Sequence, residues 1–192
     1  MRDAPASRMG FRTAGPAGRF PPVNVTARRV LSVLLLAYGL YDLSDPARGS
    51  LIAGVDLAIH ETGHIVFGPF GEFIGFAGGT IFQLLMPALF VVYFLRRKDQ
   101  HSASVALWWV GQNCGHIAVY AGDARAQELP LVGGGEHDWF YMLSATGSLS
   151  HDRGIARAFM AAGFLLIVLS SGWGVISAAN APITVPLTDS DP

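Results

Sequence analysis

The chain has 192 residues, of which 51% are hydrophobic and 14% charged, against about 25% charged residues in a soluble domain. Its mean hydropathy is positive, a composition that points to a membrane protein and away from a solvated globular domain. A net charge of −1 with no dense basic run excludes nucleic acid as a partner, and a lone cysteine, Cys114, excludes an internal disulfide.

Residues 1–26 carry Arg2, Arg8, Arg12 and Arg19 among Pro, Gly and Ala; without apolar periodicity they read as a disordered, Arg-rich cytoplasmic tail. Apolar segments follow at 27–43, 51–67, 81–95, 104–121 and 156–179, each near the roughly 17–25 residues of a spanning helix. The predicted fold is therefore all-α: a polytopic bundle of about five spanning helices in one domain, 27–180, with a short polar tail at 181–192. The first segment has no small-residue cleavage site ahead of Ser44-Asp45-Pro46, so it reads as an uncleaved span and not as a signal peptide. The stretch 68–80 (GPFGEFIGFAGGT) is rich in glycine and aromatic residues and is expected to form a re-entrant or interfacial loop. Trp139–Leu149, apolar but too short to cross, is expected as an interfacial helix. Trp108 and Trp109 read as belt or packing residues, and Cys114 as a small buried hydrophobe.

Five crossings from a cytoplasmic N-terminus put Arg28, Arg29, Arg125, Arg153 and Arg157 inside with the tail arginines, in keeping with the positive-inside rule. Arg48, Arg96, Arg97 and Lys98 then fall outside, and the last three are the cluster this topology fits least well.

The chemistry lies in His60-Glu61-Thr62-Gly63-His64. On a helix the two histidines share a face and can grip one zinc ion, while Glu61 is placed to activate a water. Ionisable residues inside a span are costly and are seldom kept without a use. A catalytic zinc needs at least one more protein ligand and an open position for water. The fourth segment supplies candidates, since Asn113, His116, Tyr120 and Asp123 recur at i, i+3, i+7 and i+10 and form one stripe. Asp123 is the expected third ligand, with His116 as the alternative. Asp56, one turn before His60, could hold an imidazole N–H, and Gln83 and Asn113 come to a similar depth. The glycine-rich loop before Trp139 adds His137 and Asp138, as a polar turn or as a flap over the site. On this topology the site lies near the cytoplasmic face.

An HExxH helix joined by a later Asp resembles the site-2-protease type of intramembrane zinc metallopeptidase. His60, Glu61 and His64 match its motif, and Asp123, ending the run Asn113-Cys114-Gly115-His116-Ile117-Ala118-Val119-Tyr120-Ala121-Gly122-Asp123, is the counterpart of the later Asp. The chain departs from that family in having Ala124 after Asp123, no Asn-Pro-rich segment, and no PDZ or CBS domain. It is also similar to small bacterial membrane proteins that pair an HExxH span with Tyr-x-x-Asp-Ala-Arg-Ala (here Tyr120–Ala126) and Gly-Gly-x-x-His-Asp-Trp (here Gly133–Trp139). The resemblance implies a Zn2+-dependent peptidase in the bacterial inner membrane, with Glu61 as catalytic base and a membrane-associated peptide or protein as substrate. Asn113 or His116 would then stabilise the oxyanion. The rivals are a zinc-dependent lipid amidase, a non-catalytic metal- or haem-binding membrane protein, and a membrane chaperone.

Overall fold

The computed structural model describes residues 24–131 and 135–180. Most of the predicted N-terminal tail, the predicted tail at 181–192, and Gly133 and Gly134 lie outside the described residues. Within them the fold is all-helical: α1 (Val25–Ser44), α2 (Ala53–Phe67), α3 (Glu72–Arg96), α4 (Gln100–Gly122), α5 (Asp138–Ala145) and α6 (Asp152–Ser177), with 3-10 turns at Pro46–Arg48, Gly68–Phe70 and Leu149–His151.

Local chemistry sets several of these ends. The Asn24 side chain accepts the Ala27 N–H at 2.9 Å and caps α1, and Asp99 accepts the Ser102 N–H to cap α4. The expected loop at 68–80 is confined to the turn Gly68–Phe70 and Gly71, whose φ of 110° needs a glycine. From Glu72 onward the segment is helix. Glycine in a helix costs up to about 1 kcal/mol against alanine, but here the glycines let two backbones meet. A Cβ on Gly63 would strike the Gly78 carbonyl, and a Cβ on Gly78 would strike the backbone of Gly63, so close packing of α2 on α3 offsets the propensity. The expected short helix after residue 138 is α5.

The five apolar segments are all helical, yet they make four traversals of the bundle. Helices α3 and α6 run against α4: Gln83 meets Asn113, and Phe90 stacks on Trp109, while Gly163 packs on Gly111 and Gly174 on Ser104. Helix α1 runs with α4. Arg28 lies 3.9 Å from Asp99, the Trp108 indole donates to the Leu35 carbonyl at 2.8 Å, and Asp42 lies 3.4 Å from His116. Helix α2 runs the same way, with Asp56 at Trp109 and Asn113 and His60 at Tyr120. Between α1 and α2 the chain turns back on itself, so that the Leu51 N–H donates to the Tyr38 hydroxyl at 2.8 Å. Helix α2 thus begins about 15 Å along α4, at 1.5 Å per residue. With only 15 residues it completes the traversal that α1 starts.

Helix α4 is the centre, and what surrounds it is inverted relative to a soluble protein. Among the described residues, sixteen polar or charged side chains are buried against twelve hydrophobic ones. Large hydrophobics such as Val33, Leu34, Ile65, Leu89 and Leu169 stand exposed on α1, α2, α3 and α6, and α4 has none. Two segments, Glu72–Arg96 and Leu149–Ser177, are long and apolar enough to cross a membrane.

Candidate metal centre

His60 and His64 project from one face of α2, and their Nε2 atoms converge on a single oxygen, Asp138 Oδ2, at 2.9 and 3.2 Å. Each ring is held from behind. His60 Nδ1 faces Gln83 Oε1 at 3.0 Å, and His64 Nδ1 faces the Gly75 carbonyl at 2.8 Å. Both partners accept only, so both Nδ1 atoms carry hydrogen. In the neutral rings each Nε2 is then a bare lone pair aimed at a carboxylate oxygen. Such a convergence needs positive charge between the atoms, either protons or a cation. His60, His64 and Asp138 form a group that could hold a metal ion. Tetrahedral ligation at ordinary zinc distances separates donor atoms by about 3.3 Å, so an ion fits after the donors retreat by a few tenths of an ångström.

Glycine again makes the room. A Cβ on Gly79 would run into the His60 ring. Asp138 arrives through the start of α5, where His137 caps the helix by accepting the Phe140 N–H on Nδ1 at 3.2 Å and the Asp138 N–H donates to the Tyr120 hydroxyl at 3.2 Å. Burial raises the Asp138 carboxyl, but the hydrogen bonds from His60 and His64 outweigh it, and the group sits below the usual carboxylate range. Burial also holds His137 below the usual imidazole value, against the pull of Asp123 and Asp138, in keeping with a ring nitrogen that accepts.

Asp123, the expected third ligand, is used elsewhere. Its two oxygens accept the N–H groups of Glu128 and Leu129 at 3.0 and 3.1 Å, and Oδ2 lies 3.4 Å from His137 Nε2. It stands at the end of α4, where its reach is taken up by folding the following loop, and that loop delivers Asp138. His116, the alternative ligand, stands between two buried carboxylates, with Nε2 3.4 Å from Asp42 Oδ2 and Nδ1 3.7 Å from Asp56 Oδ2. No hydrogen bond joins Asp56 to His60; Asp56 accepts from the Trp109 indole at 2.7 Å and from Asn113 at 3.4 Å. Trp109 is therefore a donor to the polar core as well as a packing residue. Cys114 is buried, as expected.

Comparison with family models, with curated proteins and with solved structures finds no match. The donor set itself therefore carries the chemistry.

A cavity of about 860 Å³ opens onto the histidines. Its walls are α2, α3, α4, the turn between α1 and α2 at Pro46 and Ala47, and, from the segment after α4, Leu129–Leu131, Gly135, Glu136 and Asp138. Glu61 lines it one position from His60, and no hydrogen bond engages its carboxylate among the described residues. Tyr120 also lines it. Its oxygen accepts from the Asp138 N–H, and its hydroxyl hydrogen can turn toward the Asp138 carboxylate or into the cavity. In the sequence, the signal for Asp138 is its place beside a capping His at the head of an apolar run, a helix-start pattern that fixes a side chain in the first turn. Nothing in the sequence marks the Gly75 carbonyl or the room that Gly79 leaves.

Proposed function

We propose that the chain is a membrane-embedded zinc hydrolase, a peptidase with site-2-protease-like chemistry, in which His60, His64 and Asp138 hold zinc and Glu61 is the general base. The observation that carries this reading is the convergence of two imidazole lone pairs and one carboxylate oxygen, each ring locked from behind, beside an unengaged Glu in a cavity. Zinc, when bound, supplies a Lewis acid that polarises a carbonyl and lowers the pKa of water. Glu61 takes the proton of the attacking water and returns it to the leaving amine. The Tyr120 hydroxyl donates to the developing oxyanion. Asn113, fully buried with its amide committed to neighbours, and His116, engaged with Asp42 and Asp56, are not available for that role.

The inverted surface supports embedding in a bilayer, with apolar side chains facing lipid and polar ones facing α4. Irregular backbone is tolerated where it lines a cavity, as the turn after α1 does here. With α1 and α2 sharing one crossing, the count becomes four, and both ends of the described chain lie on one side. That side collects Arg28, Arg29, Arg96, Arg97 and Lys98, together with the four arginines that precede α1. The opposite side has Arg48, Arg125, Arg153 and Arg157. Nine against four assigns the first side to the cytoplasm, now with the Arg96–Lys98 cluster included, and turns the site toward the exterior of the cell. The sequence expectation of a cytoplasmic-face site rested on counting α2 as a full crossing. In a Cys114→Ser background, Ala126→Cys should react with an impermeant maleimide on intact cells and Gln100→Cys only after permeabilisation; the reverse pattern would refute this orientation.

The activity itself is tested with purified protein offered membrane-associated peptides and lipid amides in parallel. Peptide cleavage that disappears in Glu61→Gln supports the reading. Turnover of lipid amides alone would make the chain an amidase, and full activity in Glu61→Gln would sink the mechanism.

A further inference from the structure

The two histidines are oriented by different means. His64 leans on a backbone carbonyl, that of Gly75, which cannot turn over. His60 leans on the amide of Gln83, which can. A reversed Gln83 would present its NH2 to His60 Nδ1, force the ring hydrogen onto Nε2 and close the ligand position. What prevents reversal lies one residue further back. Asn113 donates its two amide hydrogens to the Trp109 carbonyl at 3.0 Å and to Asp56 Oδ1 at 3.4 Å. Both partners accept only, so the Asn113 oxygen must point the other way, and there it receives the Gln83 amide at 2.7 Å. Asn113 is 0% and Gln83 7% exposed, which leaves water little access to replace either bond.

We propose that Asn113 is a positioning residue of the metal centre: acting through Gln83, it fixes His60 in the tautomer whose Nε2 is free to bind metal. The proposal rests on reading His60 as a ligand, and it goes further by assigning the state of that ligand to a residue that touches neither it nor the ion. Residues of this kind carry about 10–100-fold in metal affinity. It also predicts a reversal that simple packing does not. In Gln83→Glu, a carboxylate oxygen faces the Asn113 oxygen across the present 2.7 Å contact, two acceptors with no hydrogen between them, and the site is disturbed. In Asn113→Leu, the Gln83 amide loses what orients it. Combining the two restores the site, because a carboxylate accepts from His60 Nδ1 whichever way it turns and no longer meets an opposing oxygen.

The experiment measures the zinc dissociation constant of the detergent-purified full chain by chelator competition, for wild type, Q83E, N113L and the double variant. Each single variant is expected to bind about 10–100-fold more weakly, and the double variant to return to within about threefold of wild type. Single variants with wild-type affinity, or a double variant weaker than either, would overturn the relay. If N113L does not fold, Asn113→Ser replaces it in both forms, since its hydroxyl can turn its hydrogen toward Glu at position 83. A wild-type chain that takes up no zinc would overturn the ligand reading and the relay with it, whereas zinc uptake with additive losses overturns the relay alone.

Discussion

Replacing Gly79 with alanine adds one carbon where the His60 ring lies. The new Cβ would stand 2.6 Å from Cε1 and 2.7 Å from Cδ2, with Nε2 closer still, whereas ordinary contact begins at 3.4 Å. The ring must therefore retreat by more than about 0.8 Å, or α2 and α3 must part by as much. Neither is free. The ring is held between Gln83 and Asp138, and α2 is held to α3 through the Gly63 and Gly78 contact. Metal sites tolerate donor displacements of about 0.2 Å, so zinc affinity should fall by about 100-fold or more, and turnover by at least a similar factor. The helix itself gains, because alanine is favoured over glycine by up to about 1 kcal/mol; overpacking costs about 1–3 kcal/mol, which leaves a folded protein with an impaired site. Chelator competition for zinc, run beside thermal unfolding in detergent, separates the two effects. Gly54→Ala on α2, where an added Cβ meets nothing within 4 Å, is the control and should bind zinc normally. Wild-type zinc affinity in Gly79→Ala would refute the placement of His60 against α3.

Other substitutions and pH probe the remaining parts. Glu61→Gln should keep its zinc and lose about 10²–10⁴-fold in turnover, the usual worth of a general base. Asp123→Ala should still bind zinc, at reduced affinity, and lower thermal stability by about 1–3 kcal/mol through the unmade bonds to Glu128 and Leu129; complete loss of zinc with unchanged stability would restore Asp123 as a ligand. Because the Asp138 carboxyl sits below its ordinary range, its contribution to the stability of the zinc-free protein is fully present above the ordinary carboxylate pKa of about 3.9 and is lost as pH falls through the depressed value. The difference in unfolding temperature between zinc-free wild type and Asp138→Asn should thus hold from about pH 6 to pH 5 and shrink only below about pH 4.

The part of this architecture legible in the sequence is the part that periodicity and spacing encode. Apolar runs gave helices, and the i, i+4 histidines gave a shared face, because both depend only on local geometry. Direction was not legible. Leu51–Phe67 has the length of a crossing by composition, and only the bond from the Leu51 N–H to Tyr38 reveals that the chain has doubled back before α2 begins. Gly75, Gly78 and Gly79 read as loop because propensity weighs backbone entropy; they are helical because the contact of Gly63 with Gly78 is a tertiary gain that propensity does not contain. Asp123 and Asp138 were both visible as polar residues near the site. Which of them reaches the histidines depends on how the loop between them folds, and Asp123 folds that loop by capturing the N–H groups of Glu128 and Leu129.

His60, His64 and Asp138 form a group that could hold one metal ion, and the proposed function stands on an ion binding there. Zinc content of the detergent-purified chain, measured by elemental analysis after removal of loosely bound metal, tests it most directly when wild type is compared with His64→Ala. One zinc per wild-type chain and little or none in the variant is the predicted result. A wild-type protein without stoichiometric metal, or a His64→Ala protein that retains it in full, would contradict the account.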